Sequence, residues 1–493
     1  MIFNSVNYLL FFPVVVLLYF ALPYKFRNLW LLAASYFFYM NWNAKYAVLL
    51  AGSTLITFVC SLLVSHFSEK GRRRLAGWSL AGSFIINIGI LFVFKYSGFF
   101  AENVNALLEL LGQDAKLAAF DVVLPVGISF YIFQALSYTV DVYRGDIKAT
   151  KNLLRYALFV SFFPQLVAGP IERSGNLLAQ FDKKNTFDVD RVRSGLLTML
   201  WGLFIKIVIA DNLSGIVTNV YDNYLEYSGV EILIATALFA FQIYCDFGGY
   251  SYIAIGSARV LGFKLMDNFD CPYLATSVND FWKRWHISLT SWFRDYLYIP
   301  FGGNRKGTVR KYINTMIIFL VSGLWHGASW TYVIWGGLNG AYLVTEQATE
   351  GLRRRLRERF GVDASQYSHR FFAGICTFIL VDITWMFFRA ESVSQVFGLL
   401  RQIKANFGFS RAFGYAVEGW GLDTGALLGL LIAFVLLFLV DVCRYRGIDL
   451  NREVLLQSAP MRYVVYITLL LMIMIFGVYG YEYAQTAFIY FQF

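Results

Sequence analysis

Charge is scarce in this chain: Asp, Glu, Lys and Arg make up only 15% of its 493 residues, against roughly a quarter in soluble domains. Hydrophobic residues fill 58% of it, including 48 Phe, 32 Tyr and 12 Trp. So few polar groups cannot cover that much apolar surface, which excludes a water-soluble globule and places the chain in lipid. Cysteine is sparse too. Cys60, Cys245 and Cys376 lie in apolar stretches and Cys271 and Cys443 in polar ones, and no pair has disulfide or metal spacing. No metal site is expected. A Pro/Ser/Gly-rich linker, a low-complexity tract and an internal repeat are all missing, which predicts one integral domain over 1–493. The first residues also lack a basic n-region, since Lys25 and Arg27 follow the apolar run. A retained helix with its N-terminus outside is therefore expected, not a cleaved signal peptide.

What is present is a succession of apolar runs at 6–22, 29–42, 46–65, 78–94, 122–140, 195–212, 231–246, 371–388, 422–440 and 463–479. Most approach the ~20 residues that a spanning helix needs, so the expectation is an all-α polytopic membrane protein with about ten spanning helices. If the spans alternate from an outside N-terminus, the inside segments hold 32 Lys or Arg and the outside segments 7. That asymmetry is a positive-inside signal, and it puts the C-terminus outside as well. The net charge of +10 is then an orientation signal and gives no reason to invoke nucleic acid. The runs 71–75 and 352–360 read as cytoplasmic loops facing solvent or anionic membrane lipids.

Two places break the pattern. In 161–173, SFFPQLVAGPIER, Pro164 and the pair Gly169 and Pro170 interrupt an apolar run, predicting a re-entrant segment or a kinked helix. Residues 262–311 are too polar to span, and 312–345 are apolar again with basic sequence at both ends. As helix, those last 34 residues reach about 50 Å, short of two full crossings and a turn. Two tilted or partial helices are expected there, meeting at GLWHGAS, 323–329, around a cavity that tolerates non-helical backbone. The region 262–345 is accordingly the expected catalytic region.

Of the four histidines, His66 and His369 sit at loop edges beside basic residues and read as solvated side chains. His286 and His326 differ. His326 falls at membrane depth, where an ionisable group is either functional or a hydrogen-bonded core residue.

The segments AGPIER, QIYCDFGGYSYIAIG, NFDCPYLATSVNDFWKRWHISLTSWFRDYLYIPFGGNRKG, SGLWHGASWTYVIWGGLNG and WMFFRAESVSQ resemble the membrane-bound O-acyltransferase family. Within it they look most like the bacterial branch that acetylates alginate, peptidoglycan or cellulose, with the D-alanyl transferase of lipoteichoic acid as a cousin. The likeness covers essentially the whole chain. It implies a fold of spanning helices and re-entrant segments around a central chamber. By it, His326 matches the family's invariant histidine and His286 its second, more variable polar position. Two departures stand out: Gly248 and Tyr252 make DFGGYSY where relatives typically read DFSGYSD, and Asn339 precedes Gly340 where relatives often read WGxxHG.

The resemblance implies transfer of an acyl group, acetyl above all, from cytoplasmic acetyl-CoA across the inner membrane to a cell-envelope polysaccharide. Acetyl-CoA is then the donor substrate, and no other cofactor is expected. A base of near-neutral pKa must take the alcohol proton, and an imidazole at about 6.5 suits that task. Lys283, Arg284, Arg294, Arg305 and Lys306 are candidates to hold the donor's phosphates, against the alternative that they only enforce topology. The tail 480–493 resembles the FIYF-type ending of this branch, which implies that Tyr490 is an acyl carrier; an interfacial aromatic anchor is the alternative. Because the chain has no esterase-like domain of its own, a separate periplasmic acetyltransferase partner is implied. A lipid or protein acyltransferase and a transporter or flippase remain open as other readings.

Overall fold

Hydrocarbon offers no hydrogen bonds, so each apolar run must satisfy its own backbone, and helix is how separate runs do so. The computed structural model describes residues 1–120, 122–167, 169–408, 420 and 424–478, and helix is the regular structure found among them. Seven of these helices are long and apolar enough to cross a membrane: Lys45–Glu69, Arg73–Leu110, Val189–Asp222, Gly229–Leu261, Tyr367–Arg389, Thr424–Tyr445 and Ala459–Phe476. Each contains most of one expected run. The runs at 6–22 and 29–42 become Val6–Ala21 and Tyr24–Met40, 16 and 17 residues long. The run at 122–140 differs more. Its helix, Ile128–Arg144, starts later and is buried on nearly every side, as suits an interior helix more than a lipid-facing one. Gly127 sets that start, with φ +74° and so little room that a Cβ would lie 2.6 Å from the Leu166 carbonyl oxygen.

The chain forms two compact units, Met1–Met199 with Ser251–Met266, and Leu200–Tyr250 with Asp267–Phe493. In the first, polar side chains tie helices together. Tyr156 donates to Thr57 at 2.8 Å, Ser53 to Asn87 at 2.5 Å, and Tyr8 shares a hydrogen with Ser257 at 2.6 Å. The break expected at 161–173 is present. Helix Leu153–Ser161 stops, Pro164 opens the single turn Phe163–Leu166, and the described residues 169–173 that follow are non-helical. Pro164 lacks the N–H that would continue the earlier helix. The segment is buried in protein, as its exposed carbonyls require. The Gln134 and Gln165 amides both donate to the Phe159 carbonyl, at 2.6 and 2.8 Å. Glu172 closes the segment by accepting from Met266 N–H and the Asn176 amide, at 2.5 and 2.7 Å.

In the second unit the stretch expected as two helices meeting at 323–329 is Thr308–His326 followed by Trp330–Ala348. Each has 19 residues, or about 28 Å of helix. They outrun the apolar stretch because their outer turns, with Arg310 and Lys311 at one end and Glu346 at the other, are polar yet helical. Gly323, Gly336 and Gly340 bring the two backbones together: a Cβ on Gly323 or Gly336 would lie 2.2 Å from a carbonyl oxygen of the facing helix. Ser329 caps the second helix by accepting from Thr331 N–H.

Candidate active site

His326 is the last residue of Thr308–His326, where the chain leaves the helix through Gly327. The side chain is 3% exposed and walled by aromatic rings. Trp325 and Trp335 stand edge-on at 5.0 Å between ring centroids, and Phe388 at 5.4 Å. His286 lies 6.5 Å away, centroid to centroid, also buried. The Trp325 ring neighbours both imidazoles, and Phe247 packs edge-on against His286 at 4.7 Å. The two histidines that the sequence singled out, forty positions apart, thus share one apolar enclosure.

Local structure aims His286. It joins the short helices Val278–Arg284 and Ile287–Phe293 with φ 43° and ψ 53°, a left-handed conformation that costs a non-glycine residue about 1–2 kcal/mol. Cys271 is the other non-glycine residue with positive φ among those described. The loop carrying Cys271 pins the bend. Asn268 accepts from Ile287 N–H through its carbonyl at 2.9 Å and from the Ser288 hydroxyl through its side chain at 2.6 Å, while Asp270 N–H donates to the Arg284 carbonyl. Strain held by such a network marks a site where geometry matters more than local comfort. Burial first, and then the Asp441 carboxylate, push the Cys271 thiol up to about 12, which favours the protonated form.

Trp335, fully buried, stacks at 5.9 Å on Trp385 and meets Trp282 at 5.7 Å. Asn339, one of the departures from the family pattern, holds this wall in place. It accepts from the Trp282 indole at 3.2 Å and donates to the Trp335 carbonyl at 2.9 Å. The other departure leaves room, for a Cβ at Gly248 would make only ordinary contacts, at 3.6 Å and beyond.

The five expected phosphate ligands differ in their surroundings. Arg284 is spoken for within the protein, with Asp280 at 2.9 Å, Asp270 at 3.3 Å and the Tyr445 ring at 5.0 Å. Arg294 pairs with its neighbour Asp295, and Lys283, Arg305 and Lys306 are exposed. Lys306 folds over Gly302 within the turn that precedes Thr308–His326. Tyr490 and the tail 480–493 lie outside the described residues. Among those described, no three His, Cys, Asp or Glu side chains converge as a metal would need.

Sequence reasoning passed over one feature, a buried charge cluster. Lys206, in the π-helical turn Ile205–Ala210, reaches Asp211 at 2.7 Å and Asp246 at 2.6 Å, and all three are less than a tenth exposed. The available signal was a lysine inside an apolar run. A π turn adds a residue to the helical circuit and often marks a functional position. Asp246 immediately precedes Phe247, whose ring rests on His286, so the cluster fixes the rotation of Gly229–Leu261 at the level of the site.

A helical membrane protein with two histidines enclosed by aromatic rings is suited to proton transfer away from water. The comparisons narrow that class. The family model described as "MBOAT, membrane-bound O-acyltransferase family" matches residues 147–381. The "Probable alginate O-acetylase AlgI" of Pseudomonas putida is 40% identical over 80% of this chain and 78% of its own. The "Peptidoglycan O-acetyltransferase" of Helicobacter pylori is 34% identical over 81% and 79%. The "Teichoic acid D-alanyltransferase" of Bacillus subtilis is 27% identical over 59% and 73%. The chain belongs to the membrane-bound O-acyltransferase family and is an acyltransferase.

Proposed function

We propose that this enzyme moves acetyl groups from cytoplasmic acetyl-CoA across the inner membrane for O-acetylation of a cell-envelope polysaccharide. The observation that carries the reading is the enclosure holding His326 and His286, 6.5 Å apart. Relatives named for alginate and peptidoglycan O-acetylation support the acetyl group and the polysaccharide class. His326 acts as the base. It takes the proton of the accepting hydroxyl as that oxygen bonds to the thioester carbonyl carbon. The tetrahedral intermediate then expels the coenzyme A thiolate, which leaves as the thiol once it takes a proton. The apolar rings keep water from intercepting the acyl group. His286, held at its strained bend beside Trp325, orients the reacting groups.

The positive-inside asymmetry supports donor loading from the cytoplasm, with both termini periplasmic. On the outer side Tyr490 takes the acyl group as an aryl ester and gives it to a periplasmic partner enzyme or to the glycan, two easier transfers in place of one. The deciding experiment measures transfer from radiolabelled acetyl-CoA by membranes containing each histidine variant at matched protein levels. His326→Ala is expected to fall at least about 10²-fold, the usual contribution of a general base, and His286→Ala to fall less. Turnover by His326→Ala above a tenth of wild type removes it as the base. The reverse order of severity assigns the base to His286.

A further inference from the structure

Away from the histidines the second unit contains a cleft of about 890 Å³ whose lining is divided by chemistry. One end is rich in cations: Arg353 and Arg357 of helix Glu350–Arg359 and His369 and Arg370 at the start of Tyr367–Arg389 line it, with a single acidic residue, Glu346, whose carboxylate accepts from Asn279 N–H at 3.1 Å. The other end is apolar, following Tyr367–Arg389 inward through Ala373, Cys376 and Leu380. Two of the cations are positioned from behind, Arg353 by donating to the Glu346 carbonyl at 2.6 Å and Arg370 by donating to the Tyr445 hydroxyl and lying over its ring. Arg357 is half-buried, yet among the described residues its guanidinium makes no ion pair or hydrogen bond.

We propose that this cleft is a binding site for one anionic phospholipid, its phosphate held by Arg357, Arg353, Arg370 and His369 and its acyl chain lying along Tyr367–Arg389. Charge complementarity accounts for the headgroup, because a guanidinium fork matches phosphate oxygens in geometry as well as sign. Depth accounts for the chain. From His369 to Leu380 the helix rises about 16 Å, roughly half of a ~30 Å hydrocarbon core and so one leaflet. Tyr367–Arg389 is also among the helices able to cross a membrane, and on its cleft face Cys376 and Leu380 are exposed, while Phe371, Phe372, Ile375 and Ile379 are exposed on the opposite face. An acyl-CoA bound for transfer does not fit this cleft, because neither His286 nor His326 lines it. The proposal therefore stands apart from the assignment of donor and base. The cleft walls include Val278 and Thr345, on the helices that carry Trp282 and Trp335, so the lipid braces the outer ends of elements that wall the site.

The test uses the full-length protein purified in detergent and titrated with phosphatidylglycerol, phosphatidylcholine or coenzyme A, with retained ligand read by native mass spectrometry. Phosphatidylglycerol is expected to be retained in preference to phosphatidylcholine. The double variant R353Q/R357Q is expected to hold it about thirtyfold more weakly, at about fivefold per basic side chain at an anionic headgroup. R354Q/R355Q, whose residues do not line the cleft, is expected to match wild type. A reading independent of any variant comes from maleimide modification of Cys376 in the wild-type protein, followed by peptide mass. Phosphatidylglycerol is expected to slow it severalfold, and phosphatidylcholine and coenzyme A to leave it unchanged. Equal retention of both lipids, equal loss in the two double variants, or protection of Cys376 by coenzyme A and not by phosphatidylglycerol each overturns the proposal.

Discussion

Replacing Gly336 by alanine adds one methyl group at the contact between two helices, and the packing predicts a large loss of activity. The new Cβ would sit 2.2 Å from the Phe319 carbonyl oxygen, 3.0 Å from its carbon and 3.3 Å from Gly323 Cα. None of these is the flexible end of a side chain, so the two helices must part, by about 1 Å to restore ordinary contact. Phe319, Gly323 and His326 lie at helical spacings of four and three, on one face of Thr308–His326. The displaced face is therefore the one that presents His326. A misplacement of ~1 Å at a reacting group costs on the order of 10²-fold in rate, or about 2.7 kcal/mol of barrier. The assay is the initial rate of acetyl transfer from radiolabelled acetyl-CoA in membranes, normalised to enzyme by immunoblot, with thermal unfolding in detergent to confirm a folded variant. Gly337→Ala serves as the control, since its Cβ would meet only Leu320 Cδ2 at 3.6 Å. A Gly336→Ala enzyme that is folded and runs within about threefold of Gly337→Ala would refute the claim that this contact sets the position of His326.

Lys206→Met strands Asp211 and Asp246 in the interior and is expected to cost about 3–5 kcal/mol, seen as a fall in Tm in detergent, whereas adding Asp211→Asn and Asp246→Asn recovers much of it; an unchanged Tm for the single variant contradicts the cluster's structural role. A reporter fused after Gly361 is expected to score cytoplasmic and one near Gln113 or after Phe493 periplasmic; a cytoplasmic C-terminus overturns both the topology and the carrier role of Tyr490. Tyr490→Phe keeps the ring, so a mere anchor survives it and a carrier does not. Normal polysaccharide acetylation by that variant, or the lack of any acetylated C-terminal peptide after exposure to acetyl-CoA, means that transfer is direct.

Hydropathy over twenty residues is a local property, and so the sequence alone determined the membrane class and the positions of all seven long apolar helices. The helix break at Pro164 and the junction at 323–329 were legible for the same reason, because proline and glycine act on the backbone where they stand. His326 was conspicuous as an ionisable group in an apolar run, and the family motifs strengthened it. Tertiary structure decided the rest. Which apolar run is interior and which faces lipid depends on neighbours, so Ile128–Arg144 looked like any other span until its surroundings were known. Asn339 read as an anomaly one position before a glycine and turned out to lock Trp282 against Trp335. The left-handed bend at His286 is pinned by Asn268, eighteen positions earlier, and one of the two partners of Lys206 is Asp246, forty positions later. Hydrogen bonds and ion pairs at such separations form only after the helices have packed. A one-dimensional pattern therefore identifies the residues able to do the chemistry, and the packing of the helices determines which of them meet.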